Sequence, residues 1–383
     1  MGSFSPFCPV DVRILQKQEG EAALRAAIAG CAHRLLVLTT PSLCARLSLT
    51  ALFTALQGDG HCLHLITTIP PNPTVEDLAA ILTRLRQENF HPTCILAIGG
   101  GSCLDMAKGI SALWHLPRAQ AASPEWVRQA VRTGAYRQGH PFIEWLAMPT
   151  TSGTGSEVTP WATIWDPENQ QKLSIDCPGL FAKAAVLIPQ WTVTMPASLT
   201  LSTGLDALSH AMESFWARAR TPLSQALALS AIGAVRHSLP RALLEPAHLL
   251  ARQEMCTASL LAGLAFSLTR TTACHSISYP LTMDYGIPHG LAAALTLPAV
   301  MARNLPAVAE IAQINALFKE EGGFQAWLLQ VSAGVQSLRL SAFGVEPDQL
   351  PAIARLAFTQ GRMDNNPVAF SLADVEEILR ACL

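Results

Sequence analysis

An α/β domain followed by an all-helical domain is the fold that this sequence predicts, and three observations carry the expectation. The first half alternates short β-like runs with helical stretches, the pattern of a parallel sheet wrapped by helices. Beyond about Pro196 the strand signals fade, and long Ala/Leu-rich segments replace them. The length of 383 residues, half of them hydrophobic, favours two packed cores over one. The boundary is expected at 193/194, with residues 1–193 α/β and residues 194–383 helical.

The strand readings in chain order are Arg34–Thr39, His64–Thr67 and Cys94–Ile98, each a short apolar run bounded by turn or polar residues. The third runs into Gly99, Gly100 and Gly101, followed by Ser102, Asp105 and Lys108. A strand, a glycine turn and a helix start in that order let backbone N–H groups approach a phosphate at the positive end of the helix. This is not the G-x-G-x-x-G fingerprint. A second loop, Pro149–Thr159, sets hydroxyls and glycines between apolar segments and can donate several hydrogen bonds to the same ligand. Either loop alone reads as an ordinary turn. Both in one α/β half favour a nucleotide. The helical half is read from Leu205–Ala217, Leu223–Val235 and Arg252–Phe266.

Composition removes several function classes. With 26 basic and 28 acidic side chains the formal charge is −2, which favours neither nucleic acid nor an anionic membrane. The ten cysteines are scattered without a C-x-x-C pair, as in a reduced, cytoplasmic protein. Met1–Val10 lacks the basic and apolar regions of a signal peptide, and no apolar run reaches membrane-spanning length. No fixed-period repeat is visible. A small molecule is the expected partner, in a site between the two domains, and a homo-oligomer, a dimer, is expected.

The histidines suggest a metal. Asp206 and His210 stand at i and i+4, so on a helix they project from one face. His275 and His289 follow, and one helix and one loop could bring them together. Three imidazoles and one carboxylate suit Fe(II), with Zn(II) as the alternative, whereas Mg or Ca would require more oxygen ligands. The remaining eight histidines, His33, His61, His64, His91, His115, His140, His237 and His248, are read as structural.

These segments together resemble the iron-containing alcohol dehydrogenase family along nearly the whole chain. The resemblance rests on Pro71–Thr74, the GGGS-x-x-D-x-A-K run, the TTSGTGSEVT loop, the G-x-DAxxHAxE helix, the two downstream histidines and Asn366–Pro367. It implies a Rossmann-like dinucleotide-binding domain and a helical metal-binding domain in a dehydroquinate synthase-like fold. Asp206, His210, His275 and His289 become the implied metal ligands. Asn72, Gly99 to Ser102, Asp105, Thr150, Thr151, Thr154 and Lys172 become the implied binders of NADH or NADPH. Relatives that prefer NADH carry an acid after the second strand, where this chain has Thr40, so NADPH is expected to be accepted. A further histidine common in relatives is replaced by Tyr279, which either relays a proton or packs the cleft wall.

The same resemblance places Phe266, Arg270, Thr271 and Arg362 around the substrate. Two guanidinium groups there suit an anionic aldehyde, because their planar donor forks match phosphonate, sulfonate or carboxylate oxygens. The bland alternative pairs either arginine with an acid such as Asp364 or Glu157. The Ser267–Pro280 run looks closest to the phosphonoacetaldehyde reductase branch, which implies reduction to 2-hydroxyethylphosphonate. Sulfoacetaldehyde reductase and general short-chain alcohol dehydrogenase are the alternatives. Maleylacetate reductase lacks the full metal set, dehydroquinate synthase departs from the motifs, and a silent cofactor-binding module is disfavoured by both intact sites.

Overall fold

The computed structural model describes residues 8–117, 121–169 and 171–383. The first seven residues of the Met1–Val10 stretch therefore lie outside the described residues. The chain forms two compact units, one from residues up to Thr151 with Ser156–Thr192, the other from Ser152–Gly155 with Val193–Leu383.

The first unit is built on six parallel strands: β1 (Asp11–Ile14), β2 (Arg34–Leu38), β3 (Cys62–Ile66), β4 (Cys94–Gly99), β5 (Glu144–Pro149) and, after a hairpin, β8 (Ala184–Leu187). Their order is β1-β8-β5-β4-β2-β3. The hairpin of β6 (Trp161–Asp166) and β7 (Gln171–Asp176) forms a separate antiparallel pair. Central β4 is buried at every position, so it reads as a continuous apolar run, while edge β3 is mostly half-exposed. Among the described residues, six helices accompany the strands: α1 (Lys17–Ala27), α2 (Pro41–Leu47), α3 (Thr50–Gly58), α4 (Val75–Gln87), α5 (Gly101–Leu113) and α6 (Pro124–Thr133). Thr74, from the Pro71–Thr74 run, heads α4 in a reciprocal capping box with Asp77. Register matters most between β4 and β5. Gly99 lies opposite Pro149, and Thr150 N–H donates to Gly99 O at 3.0 Å, so the glycine turn and the start of the polar loop emerge side by side. That is the carboxyl edge of the sheet, where open α/β folds bind ligands.

The second unit is helical. Its helices are α7 (Ala197–Trp216), α8 (Pro222–Leu244), α9 (Leu249–Thr269), α10 (Ala273–Tyr285), α11 (His289–Asn304), α12 (Ala312–Leu317), α13 (Phe324–Ser332), α14 (Leu350–Leu356) and α15 (Leu372–Arg380). Helices α7, α8 and α9 pack on one another, and α11 lies against α7. The core between them includes Leu205, Leu208, Met212, Ile232, Leu239, Ile277 and Leu291. The first three helices all start before the segments read from sequence: the Thr221 box starts α8, His248 accepts from Ala251 N–H to start α9, and α7 starts after Pro196 without a side-chain cap. His289 also departs from the expectation of a loop. It opens α11, because Pro288 at the N-cap precedes an Ala/Leu run that continues the helix. None of the ten cysteines forms a disulfide. Among the described residues no helix is long and apolar enough to cross a membrane.

Candidate functional site

In the first unit the glycine turn leads directly into α5, with Gly100 as its N-cap. A Cβ on Gly99 would lie 2.4 Å from Cys103 Sγ, so only glycine fits the turn. Ser102 Oγ accepts from Asn72 N–H at 3.2 Å, which draws the Asn72 loop to the same edge. Thr150 is buried there, and Thr151 lies against Gly100. Asp105 faces inward. It accepts from Ser156 Oγ at 2.7 Å and from Thr163 N–H at 2.9 Å. Lys108 is wholly buried and donates to Ser156 O and Oγ, Thr159 Oγ1 and Trp161 O. Asp105 and Lys108 thus fasten the polar loop to α5. Lys172 lies on β7, and Thr40 caps α2 by accepting from Leu43 N–H. Thr39, at the end of the second strand's run, is fully buried.

The second unit assembles the metal-type residues from three helices. Asp206 and His210 come from α7, His275 from α10, and His289 from the first position of α11. Asp206 Oδ1 lies 4.0 Å from His210 Nδ1 and 3.6 Å from His275 Nε2. These three atoms are buried and have no hydrogen-bond partner, although buried polar groups ordinarily find one. Three unsatisfied ligand atoms converging within 4.8 Å are what a divalent cation satisfies. The donor set of imidazoles and carboxylate fits Fe(II) or Zn(II). The His275 and His289 ring centroids are 5.3 Å apart, so His289 borders the cluster, but its nitrogens are not among the three donors that converge.

Burial would raise the Asp206 carboxyl, but the imidazoles of His210, His275 and His289 outweigh it and hold that carboxyl below its ordinary range. Burial takes His210 down to about 4 against the pull of Asp206, so its ring is neutral, as a metal ligand requires. A hydrogen bond with the Gly153 backbone orients that ring. Gly153 and Gly155 belong to the short loop packed into this unit. Gly155 has φ +58°, and a Cβ there would meet Gly263 Cα at 2.5 Å, so conformation and space both demand glycine. Thr154 stands between them.

Of the residues assigned to the substrate, Phe266 contacts this cluster directly and Arg362 approaches it through Tyr279. Phe266 stacks on His210 with centroids 4.2 Å apart and an interplanar angle of 10°. The buried Tyr279 ring lies parallel to His289 at 6.0 Å, and the Arg362 guanidinium stands 5.6 Å over it. Burial pushes the phenol up to about 12, with Arg362 opposing. Arg270 is exposed and holds φ 62°, ψ 178°, a conformation suited to glycine. Asn365 Nδ2 donates to Thr269 O at 2.8 Å and to Thr271 O at 3.0 Å, so the segment after Arg362 grips both sides of Arg270. Thr271 is buried within that grip. Glu157, one of the acids considered for the arginines, lies buried in the first unit with Lys108 as its electrostatic partner.

Two residues were quoted within motifs but assigned no role from sequence. Glu213, on α7 one turn after His210, is fully buried and bonds His275 Nδ1. Burial opposes its charge, yet His275 and Thr272 hold its carboxyl below the ordinary range. Its signal was the glutamate closing G-x-DAxxHAxE. Asn366 is buried and exchanges amide bonds with Asn304 at 2.9 and 3.0 Å, which ties the tail to α11.

The chain matches two family models: iron-containing alcohol dehydrogenase over residues 12–189, and the C-terminal part of the Fe-containing alcohol dehydrogenase family over residues 200–383. It is 31% identical to the probable alcohol dehydrogenase EutG of Salmonella typhimurium, across 82% of this chain and 78% of that one. It is 36% identical to phosphonoacetaldehyde reductase of Streptomyces viridochromogenes, across 61% and 58% of the two chains. A solved structure of sulfoacetaldehyde reductase from Bifidobacterium kashiwanohense in complex with NAD+ superposes with a TM-score of 0.83 at 26% identity, covering 98% of this chain and 97% of that one.

Proposed function

Because this chain belongs to the iron-containing alcohol dehydrogenase family, we propose that it reduces a short anionic aldehyde, phosphonoacetaldehyde, to the corresponding alcohol with NADPH or NADH. Asp206, His210, His275 and His289 hold the cation, Fe(II) with Zn(II) as the alternative. When bound, the cation supplies Lewis acidity toward the substrate oxygen. The nicotinamide supplies the hydride. In balance, aldehyde, NAD(P)H and one proton give alcohol and NAD(P)+.

The chain's own residues bind, orient and shield. The glycine turn with Ser102, Asn72, Thr150, Thr151 and Thr154 receives the cofactor, and Lys172 on β7 is assigned to the same ligand. At Thr40 no carboxylate opposes a 2′-phosphate, so both cofactors serve, with a lean to NADPH. Phe266 covers one face of His210 and keeps water from it. Tyr279 remains a neutral phenol and offers an O–H, while the proton that completes the alcohol comes from water or the cofactor ribose. Arg270, Thr271 and Arg362 bind the anionic end.

The observation that carries the substrate reading is the tie through Asn365, which holds the Arg270 turn and the Arg362 segment together. The Arg362 guanidinium in turn covers the ring stacked on His289. Spectrophotometric assay of phosphonoacetaldehyde, sulfoacetaldehyde and propanal with each reduced cofactor tests it. Wild type should prefer the phosphonate. A preference for sulfoacetaldehyde would favour the second reading, which the solved relative suggests, and a preference for propanal would remove the anion pocket.

Arg270→Gly and Arg362→Ala should each lower kcat/KM for the anionic aldehyde by about one to two orders of magnitude, the worth of a charge-assisted hydrogen bond. Propanal should change far less. Glycine is chosen at position 270 because it accepts the observed backbone conformation, so any loss reports on the guanidinium. Equal loss on all substrates would sink the assignment.

A further inference from the structure

Glu213 has two oxygens in two different roles. Four donors converge on Oε1: Thr272 N–H at 3.1 Å, Thr272 Oγ1 at 2.7 Å, Cys274 N–H at 2.7 Å and His275 N–H at 3.4 Å. They come from the turn after Arg270 and the start of α10. Oε2 meets His275 Nδ1. A neutral imidazole carries its proton on one nitrogen only. With Nδ1–H donated to a carboxylate, the lone pair resides on Nε2, and Nε2 is the buried, partnerless atom facing Asp206.

The turn needs its own support. The backbone at Arg270 occupies a region that non-glycine residues hold only where the surroundings fix it. Asn365 grips it through two carbonyls, Thr269 Oγ1 donates to Arg270 O at 2.9 Å, and Trp216 Nε1 donates to Thr272 Oγ1 at 3.1 Å. Glu213 Oε1 completes the clamp.

We infer that Glu213 is a positioning residue that serves both halves of the site, Oε2 setting the tautomer and direction of His275 and Oε1 holding the turn that presents Arg270 and Thr271. This rests on the proposed metal ligands and adds a residue to them. One buried carboxylate then couples metal capture to recognition of the substrate's anionic end.

The test uses the full-length protein stripped with a chelator and titrated with Co(II), whose visible spectrum reports coordination geometry. Wild type should bind one equivalent. In Glu213→Gln the amide keeps one oxygen for the turn, but its NH2 faces His275 Nδ1 and drives the ring proton to Nε2. The Co(II) Kd should rise about 10- to 100-fold with an altered spectrum, while the metal-free melting temperature holds. Thr272→Val removes one donor from Oε1 and should raise KM for the anionic aldehyde while leaving the Co(II) Kd unchanged. Glu213→Asp keeps the charge and should recover part of the lost affinity; it also decides the matter if the glutamine variant does not fold. A wild-type Kd and spectrum in both Glu213 variants would overturn the inference, as would a loss of affinity that only follows a fall in melting temperature. Failure of wild type itself to bind one equivalent would instead overturn the metal site.

Discussion

Tyr279 shows how one buried group limits the chemistry available nearby. Its phenol is pushed up to about 12 by burial, and a phenol is neutral below its pKa, so across about pH 6 to 9 it carries its proton and cannot act as a base. Tyr279→Phe should therefore lower kcat/KM by no more than roughly tenfold, the worth of one neutral hydrogen bond, and leave both limbs of the pH profile where they were. Disappearance of an alkaline limb in the variant would show that the phenolate takes part. At this scale the proposed ligands stand out in the sequence because i and i+4 spacing and histidine chemistry are visible in a string of letters. Glu213 was not assigned a role for the opposite reason. A lone glutamate carries no mark of its partner in the sequence, and only the arrival of α10 against α7 shows that it is buried beneath His275.

Helices α7, α10 and α11 carry the proposed ligands, and the approach of α11 to α7 depends on a missing side chain. A Cβ on Gly290 would lie 2.0 Å from Ser202 O and 2.8 Å from Asp206 Cβ. Neither the backbone of α7 nor the stem of a ligand can give way cheaply. Gly290→Ala should push α11 outward and carry His289 with it, at a cost of about 3 kcal/mol, the upper end for overpacking. The melting temperature should fall by roughly 6 to 12 °C, and metal content should fall with it. An unchanged melting curve would mean that the two helices are not held this closely. The long Ala/Leu helices could be read from periodicity, but α10 was obscured because Pro280 sits inside it and proline ordinarily marks a helix end. Strands β1, β5 and β8 and the β6–β7 hairpin lie outside the three runs read as strands. β1 is four residues long on the edge of the sheet, and the hairpin lies outside the main sheet, with one bridge from Trp165 to Thr74.

For the molecule as a whole, the order of an α/β part before a helical part was visible in the change of pattern near Pro196, because parallel strands and amphipathic helices leave different periods in the chain. All four proposed ligands belong to the helical unit, so metal should stabilise that unit selectively. At a free metal concentration about a thousandfold above Kd the gain is roughly 4 kcal/mol. Chelation should then weaken amide hydrogen-exchange protection in α7, α10 and α11 while β2, β4 and β5 keep theirs, a contrast readable by mass spectrometry. Uniform deprotection would contradict a ligand set confined to one unit. The four residues Ser152–Gly155 give this division an unusual seam. They lie between two stretches of the first unit, yet they pack with the second and supply the Gly153 backbone partner of His210. No single cut in the gene yields a helical half with an intact ligand set: a fragment beginning at Val193 lacks the backbone that orients His210 and the glycine that fits against Gly263. Recombination at one crossover would therefore produce a chimera whose loop and helices come from different parents, and selection for activity should keep the two units together as one heritable block.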